Sequence, residues 1–362
     1  MYSTDGVSIE KIRELLHNNK YGDDLDIVPD FAVLPRHKYD NIQRALSEYR
    51  NQEVVTRSMP AYYHIGLTDH CNLRCRLCPT GKMDRTESRG FIDFEFYTGL
   101  VDQIAQYGIV LWLTGWGEPT LHPKLASCIR YAADRGLYTY IASNFSLEYD
   151  DDFFLGLIDS GLTRLHLDLD GMTQESYSKY RIGGSIDLVK KNIDRLIRAN
   201  GTNKLSVEIA MISMRHNEHE ITDFQNFCHE RSISLCRLGR LQINPNIALD
   251  WLPKNPDLRY NNYLEADSPS ADCPRLYFNM TLRWDGGVPP CCLAYGRIND
   301  IGNARQDCLA DIWNNEMFQS ARGAFAGQTN SHRTLCHLCR NNLGSHNAPH
   351  YQDTFAVTLP GT

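Results

Sequence analysis

No stretch of this chain approaches the ~18 uncharged apolar residues of a membrane-spanning helix. Its first residues, MYSTDGVSIEKIRELLHNN, lack the apolar centre of a secretory signal. Basic charge is not in excess either: 37 Lys and Arg stand against 44 Asp and Glu, a formal net charge of −7. Phosphate backbones are bound by clustered Lys and Arg, so nucleic acid is not an expected partner. No internal repeat or low-complexity tract suggests a solenoid or a linker-rich chain. These absences together lead to the expectation of a cytoplasmic protein with neither a membrane nor a nucleic-acid partner.

What is present is an ordinary globular composition, 42% hydrophobic and 22% charged over 362 residues, enough for a full-sized core. Twelve cysteines are many for a reducing compartment, where thiols stay free, and point to metal or cluster binding rather than disulfides.

The chain divides into three textures. Residues 1–60 carry two helical patterns, IEKIRELLHNN and HKYDNIQRALSEYRNQ, around a proline-containing link, and read as a helical extension. Residues 61–247 alternate short apolar strands with helices of about 10–15 residues, the pattern of βα units on a parallel sheet. About six units fit, too few for the eight of a closed barrel, so the expected fold is α/β, a partial (β/α)6 TIM barrel. Residues 248–362 are proline-rich at first. They then hold two strand-like pieces around Trp284-Asp285-Gly286, a helix near Ala310–Arg322 and a small cysteine-rich domain.

In Thr68-Asp-His-Cys71-Asn-Leu-Arg-Cys75-Arg-Leu-Cys78, three thiols follow the first strand of the barrel. Soft thiolates select iron–sulfur clusters, copper(I) or zinc. A structural zinc site wants four ligands. A cubane wants one per iron, so three cysteines leave one iron open to a small molecule. At the end of the next strand, Gly115-Trp116-Gly117-Glu118-Pro119 lets backbone approach a ligand closely.

The CxxxCxxC loop and the glycine-rich loop resemble the radical S-adenosylmethionine (SAM) superfamily. The resemblance implies a [4Fe–4S] cluster on Cys71, Cys75 and Cys78. It also implies that Gly115, Trp116, Gly117 and Glu118 grip the methionyl ammonium of SAM. Trp116 stands where the family's motif has its middle glycine, and its ring could shape a substrate pocket. Ser143 and Asn144 fall where the family contacts SAM. Asp168 matches a residue that holds the ribose, and Arg181 one that pairs the SAM carboxylate in a bidentate way. Apart from the resemblance, Asp168 and Asp170 read as turn or capping carboxylates and Arg181 as half of a surface ion pair. Tyr63, His64, Asp69 and Trp116 lie near the expected cluster mouth.

Cys273, Cys291, Cys336 and Cys339 form a second set ending in CxxC. By spacing alone, four thiolates fit either a closed cubane or a structural zinc site with His332, His337, His346 and His350 in reserve. The surrounding residues resemble the SPASM and twitch domains of the same superfamily, which implies one auxiliary [4Fe–4S] cluster. Cys292 reads as a bystander or reserve ligand, and Cys128, Cys228, Cys236 and Cys308 as small buried apolar residues.

The resemblance implies reductive cleavage of SAM to methionine and a 5′-deoxyadenosyl radical, which abstracts hydrogen from an unactivated carbon. Single-cluster twitch domains suggest a sugar-like, aminocyclitol or nucleoside substrate. The reaction would be dehydrogenation, epimerisation, deoxygenation or sulfur insertion, with a flavodoxin or ferredoxin as reductant. The alternatives are modification of a ribosomally made peptide and, from another class, a non-catalytic zinc or iron–sulfur binding protein.

Overall fold

The computed structural model describes residues 6–17, 28–30, 32–82, 89–201, 204–233, 235–241, 249–259, 272–328 and 332–341. A first pair of strands, β1 (Gly6–Ser8) and β2 (Val33–Pro35), pairs antiparallel. The main sheet holds β3 (Tyr62–Ile65), β4 (Val110–Trp112), β5 (Tyr138–Ser143), β6 (Arg164–Asp168), β7 (Ser206–Ser213), β8 (Leu235–Arg240) and β9 (Asn279–Leu282). Its order is β8-β7-β6-β5-β4-β3-β9 and every pairing is parallel. Six strands come from the βα alternation of residues 61–247. The seventh comes from the cysteine-rich region, which closes against β3 instead of standing apart from the barrel.

Alternation along each strand separates two faces. In β6, Leu165 and Leu167 are fully buried, while Arg164, His166 and Asp168 lie on the opposite, lumenal side. The helices cover the apolar side. Ile186–Ala199 buries Ile186, Val189, Asn192, Ile193 and Leu196, spaced at helical repeats, and Ser185 caps it by accepting from Leu188 N–H. Each such aliphatic side chain contributes about 1.5–3 kcal/mol by its burial, so Ile193→Ala would cost roughly 2–5 kcal/mol. Asp93 and Asp150 cap the neighbouring helices Phe94–Ile104 and Asp151–Asp159 in the same way.

Sequence reading missed β1 and β2, because strands of three residues are too short to show a period. Of the two strand-like pieces near Trp284, only β9 forms. The second is a single antiparallel bridge, Gly287 to Asn303. Arg322, fully buried, ties the N-terminal extension and the C-terminal region to each other. It donates to the carbonyls of Val54 (3.0 Å), Leu276 (3.0 Å) and Trp313 (2.8 Å) and lies over the Trp313 ring. No helix among the described residues is long and apolar enough to cross a membrane.

Candidate functional site

Two thiol groups sit at the C-terminal end of the parallel sheet and in the domain behind it. The first lies on the loop after β3. That loop is pinned by Arg74 N–H to Ile182 O (2.9 Å), Arg76 N–H to Tyr180 O (3.2 Å) and the Asn72 amide to Ser146 O (2.9 Å). Cys71, Cys75 and Cys78 gather with Leu73, Leu77, Tyr180 and Met214 in one apolar cluster. Burial pushes the Cys71 thiol up to about 11 and the Cys75 thiol up to about 12, and the neighbouring thiols add to both.

The Gly115–Pro119 loop lies directly against this one. A Cβ on Gly115 would stand 2.7 Å from the Gly66 Cα, and one on Gly117 would run into the carbonyls of Thr68 and His70. Both positions therefore require glycine. The middle position does not: the Trp116 ring turns away, edge-on to Tyr295 at 5.1 Å. This explains why a tryptophan is accommodated there.

Glu118 is the hub of the loop. Its Oε1 accepts from Thr120 N (3.1 Å), Thr120 Oγ1 (2.7 Å) and Ser143 Oγ (2.7 Å), and its Oε2 from Asn144 N (2.9 Å). Complete burial raises its pKa, against those four donors. A carboxylate offers about four acceptor positions. Three donors crowd Oε1 and one meets Oε2, so Oε2 is the atom with capacity for a further donor such as an ammonium. Ser143 and Asn144 thus both donate to Glu118. Asn144 Nδ2 also reaches Asn72 Oδ1 (2.9 Å) and lies 3.9 Å from the Cys71 sulfur. The next residue, Phe145, has φ of +52°, a rare conformation for an aromatic residue, and this turns the chain at the end of β5.

Arg181 is buried, not on the surface. Its Nε and Nη2 engage Asp170 Oδ2 at 2.6 and 2.5 Å, and Nη2 lies 3.1 Å from Asp168. The paired edge thus goes to Asp170, while Nη1 faces the Cys75 sulfur at 3.9 Å. Asp170 is itself no capping residue, since its Oδ1 accepts from Ile212 N (2.7 Å) inside the sheet. Burial pushes Asp168 up, but Arg181 and His166 outweigh it and hold the carboxyl below the usual carboxylate range.

Sequence reading did not single out His166 or Glu208. His166 bridges Glu208 (3.1 Å) and Asp168 (3.3 Å), and Arg237 meets Glu208 at 2.9 Å. Burial lowers His166, but those two carboxylates overcome it and raise its pKa to about 9. The signal was available in the alternation of Arg164-Leu-His-Leu-Asp168, which puts three charged residues on one face. Of the four residues expected at the cluster mouth, His64, Asp69 and Trp116 line a common cavity. Tyr63 points the other way and packs in the core, as its position one residue from His64 in β3 demands.

The second thiol group brings together Cys273, Cys291, Cys336 and Cys339 from three separate segments. Burial pushes Cys273 and Cys339 up to about 11 and Cys291 to about 12, and drives Cys336 well above its ordinary value. Charge on neighbouring members of the set adds to each. A coordinated metal removes that penalty, since a ligating thiol is deprotonated outright. Among the described residues, no three His, Cys, Asp or Glu side chains converge as ligands of one ion do. A cubane takes its thiolates at separate irons, so they surround a volume instead of meeting at a point. In donor chemistry, the three thiols of the first set and the four of the second suit soft-metal or iron–sulfur ligation.

His337 Nδ1 is engaged with Thr334 and His332 Nε2 with Glu316. His346 and His350 lie outside the described residues. Cys292 contacts the Arg275 guanidinium at 3.4 Å. Cys128 and Cys228 are buried as expected, but Cys236 and Cys308 are exposed: Cys236 sits on the edge strand β8, and Cys308 begins a helix.

Residues 65–228 match the radical SAM superfamily, and residues 273–341 match SPASM, an iron-sulfur cluster-binding domain. A tungsten-containing aldehyde ferredoxin oxidoreductase cofactor-modifying protein of Pyrococcus furiosus is 21% identical over 304 residues, which cover 71% of this chain and 82% of that one. A GTP 3′,8-cyclase of Syntrophomonas wolfei is 30% identical over 192 residues. That match takes in 50% of this chain and 56% of the cyclase, so only about half of the cyclase is spanned. Among solved structures, Streptococcus suis SuiB bound to S-adenosylmethionine superposes with a TM-score of 0.57 at 15% identity, over 87% of this chain and 80% of that one. Native anSMEcpe with bound AdoMet gives 0.54 at 15% identity, over 72% and 82%. These two likenesses concern the fold.

Proposed function

Because this chain belongs to the radical SAM superfamily and carries a SPASM domain, we propose that it oxidises or otherwise remodels a small sugar-like, aminocyclitol or nucleoside substrate at carbon. It is an enzyme whose cofactors are [4Fe–4S] clusters and S-adenosylmethionine. When bound, these cofactors supply a 5′-deoxyadenosyl radical that takes hydrogen from an unactivated carbon.

The chain's own residues do the positioning. In this reading Cys71, Cys75 and Cys78 hold the catalytic cluster and leave one iron for SAM. Glu118 Oε2 receives the SAM ammonium, and Gly115 and Gly117 let the loop backbone approach. Arg181 Nη1 meets the SAM carboxylate and Asp168 faces the ribose. Ser143 and Asn144 orient Glu118. Cys273, Cys291, Cys336 and Cys339 hold the auxiliary cluster, with a flavodoxin- or ferredoxin-type protein as electron donor. The observation that carries the reading is the pairing of an open, three-thiol loop with the Glu118 and Arg181 groups beside it.

The test is anaerobic reconstitution followed by iron and sulfide counting, beside a variant with Cys71, Cys75 and Cys78 all changed to Ala. Two cubanes require about eight irons in the parent and about four in the variant. The parent should also release 5′-deoxyadenosine from SAM under a chemical reductant. About four irons in the parent and none in the variant, with zinc in the tail, would overturn the auxiliary assignment.

A further inference from the structure

One cavity of about 240 Å³ opens between the barrel wall and the auxiliary domain. Gly115 and Trp116 form one side of it, so it adjoins the loop assigned above to SAM. Its floor is a single rung of the sheet: Trp112 on β4 and Thr281 on β9 both pair with His64 on β3. Arg283 lies two residues beyond Thr281, on the same side.

Three buried polar atoms here have no hydrogen-bond partner among the described residues: Trp112 Nε1, Thr281 Oγ1 and Arg283 Nε. All three residues line the cavity. A buried donor left unmade carries its full desolvation penalty, so three around one space call for an acceptor-bearing occupant.

The charge around the cavity narrows the choice. Arg283 Nη2 already lies 3.5 Å from both Asp285 and Asp300, and Arg297 lies 2.9 Å from Asp285. Asp69 lines the same space and accepts from Trp284 Nε1 (2.7 Å). With Arg275, which touches the lining Cys292, three guanidinium groups stand against three carboxylates, so an added anion would meet no excess of positive charge. Trp112 and Trp116 supply much of the apolar lining. The volume falls just below the ~300–1,000 Å³ of ordinary ligand pockets, which suits one small ring.

We propose that this cavity binds a neutral cyclic polyol of monosaccharide size, with Trp112 Nε1, Thr281 Oγ1 and Arg283 Nε donating to its oxygens and Asp69 accepting from a hydroxyl. The proposal rests on the reading of this site as one for a small substrate, and it assigns the residues that read it.

The test uses the full reconstituted chain and saturation-transfer NMR with four probes: myo-inositol, glucose, glucuronate and the tripeptide Ala-Ser-Ala. At least one of the neutral rings binds, and glucose binds more tightly than glucuronate. Trp112→Phe and Thr281→Val each weaken that binding roughly three- to tenfold, the effect of one lost hydrogen bond, whereas Thr281→Ser restores it. Thermal melts of the variants confirm folding, and Thr281→Ser keeps the test decisive if Thr281→Val does not fold. No signal from either neutral ring, no change in the variants, or selective binding of glucuronate or the tripeptide would each overturn the proposal. Release of 5′-deoxyadenosine by the parent separates the two failures. If it persists while the polyols do not bind, only this inference falls; if it is absent, the assignment of the SAM site falls first.

Discussion

The two thiol groups differ in how the chain assembles them. Cys71, Cys75 and Cys78 come from eight consecutive residues, and beside their apolar cluster stands a polar shell: Asn144 at 3.9 Å from Cys71 and Arg181 at 3.9 Å from Cys75. Cys273, Cys291, Cys336 and Cys339 are gathered from three segments, and the charge that approaches them is Arg275. A three-thiol group needs neighbours that bind whatever completes the fourth corner. A four-thiol group needs only enclosure. The contrast suggests that an open centre is recognised by the donors and acceptors converging on its free side, more than by its cysteines.

The largest effect should come from breaking each group separately. Cys75→Ala is expected to abolish 5′-deoxyadenosine formation while leaving about four irons on the chain, those of the closed cubane. Chromatographic assay of SAM products beside an iron count checks this, and surviving 5′-deoxyadenosine would show that the catalytic loop lies elsewhere. Cys336→Ala is expected to do the reverse, sparing some uncoupled SAM cleavage but stopping substrate turnover. Because Cys336 is buried beside the other three thiols, a melting curve must accompany that assay. Full turnover in the variant would leave the second group with no part in the reaction.

A smaller effect tests the polar shell. Glu118→Gln keeps the shape but puts an amide where Thr120, Ser143 and Asn144 all donate. Loss of the charge and one misdirected donor should weaken SAM binding roughly ten- to a hundredfold, the range for a hydrogen bond to a charged group. Isothermal titration of SAM into the reconstituted protein measures it. Unchanged affinity would mean that Glu118 only shapes the loop.

The barrel and the first thiol group were legible because their signals are local. Six strand–helix alternations and a CxxxCxxC loop each fit within a few tens of residues. β9 was not legible as a barrel strand, since nothing in Asn279–Leu282 announces a partner more than 200 residues earlier at Tyr62–Ile65. The same holds for the cavity floor, where Trp112 and Thr281 meet only through that pairing. Arg181 shows the opposite case: its position matched the motif, but its paired edge is taken by Asp170, a contact that needs the turn after helix Gln174–Tyr180 to be built. Side-chain alternation in β6 would have revealed His166 as lumenal had a strand of five residues been read for both faces.

The smallest effect sharpens the comparison at the residue where this chain departs from its family's pattern. Gly115 and Gly117 are fixed by backbone contacts across to Gly66, Thr68 and His70, whereas Trp116 is held by its ring against Tyr295 and by its carbonyl, which accepts from Thr80 Oγ1. Trp116→Gly would keep that carbonyl and remove the ring from the cavity wall. SAM cleavage should therefore continue, while the coupling of cleavage to substrate loosens. One lost aromatic contact is worth roughly a two- to tenfold change, read as the ratio of 5′-deoxyadenosine to product. If cleavage itself collapses, Trp116 belongs with the SAM-binding loop; if the ratio shifts and cleavage does not, the middle position of the loop has been given over from cofactor to substrate.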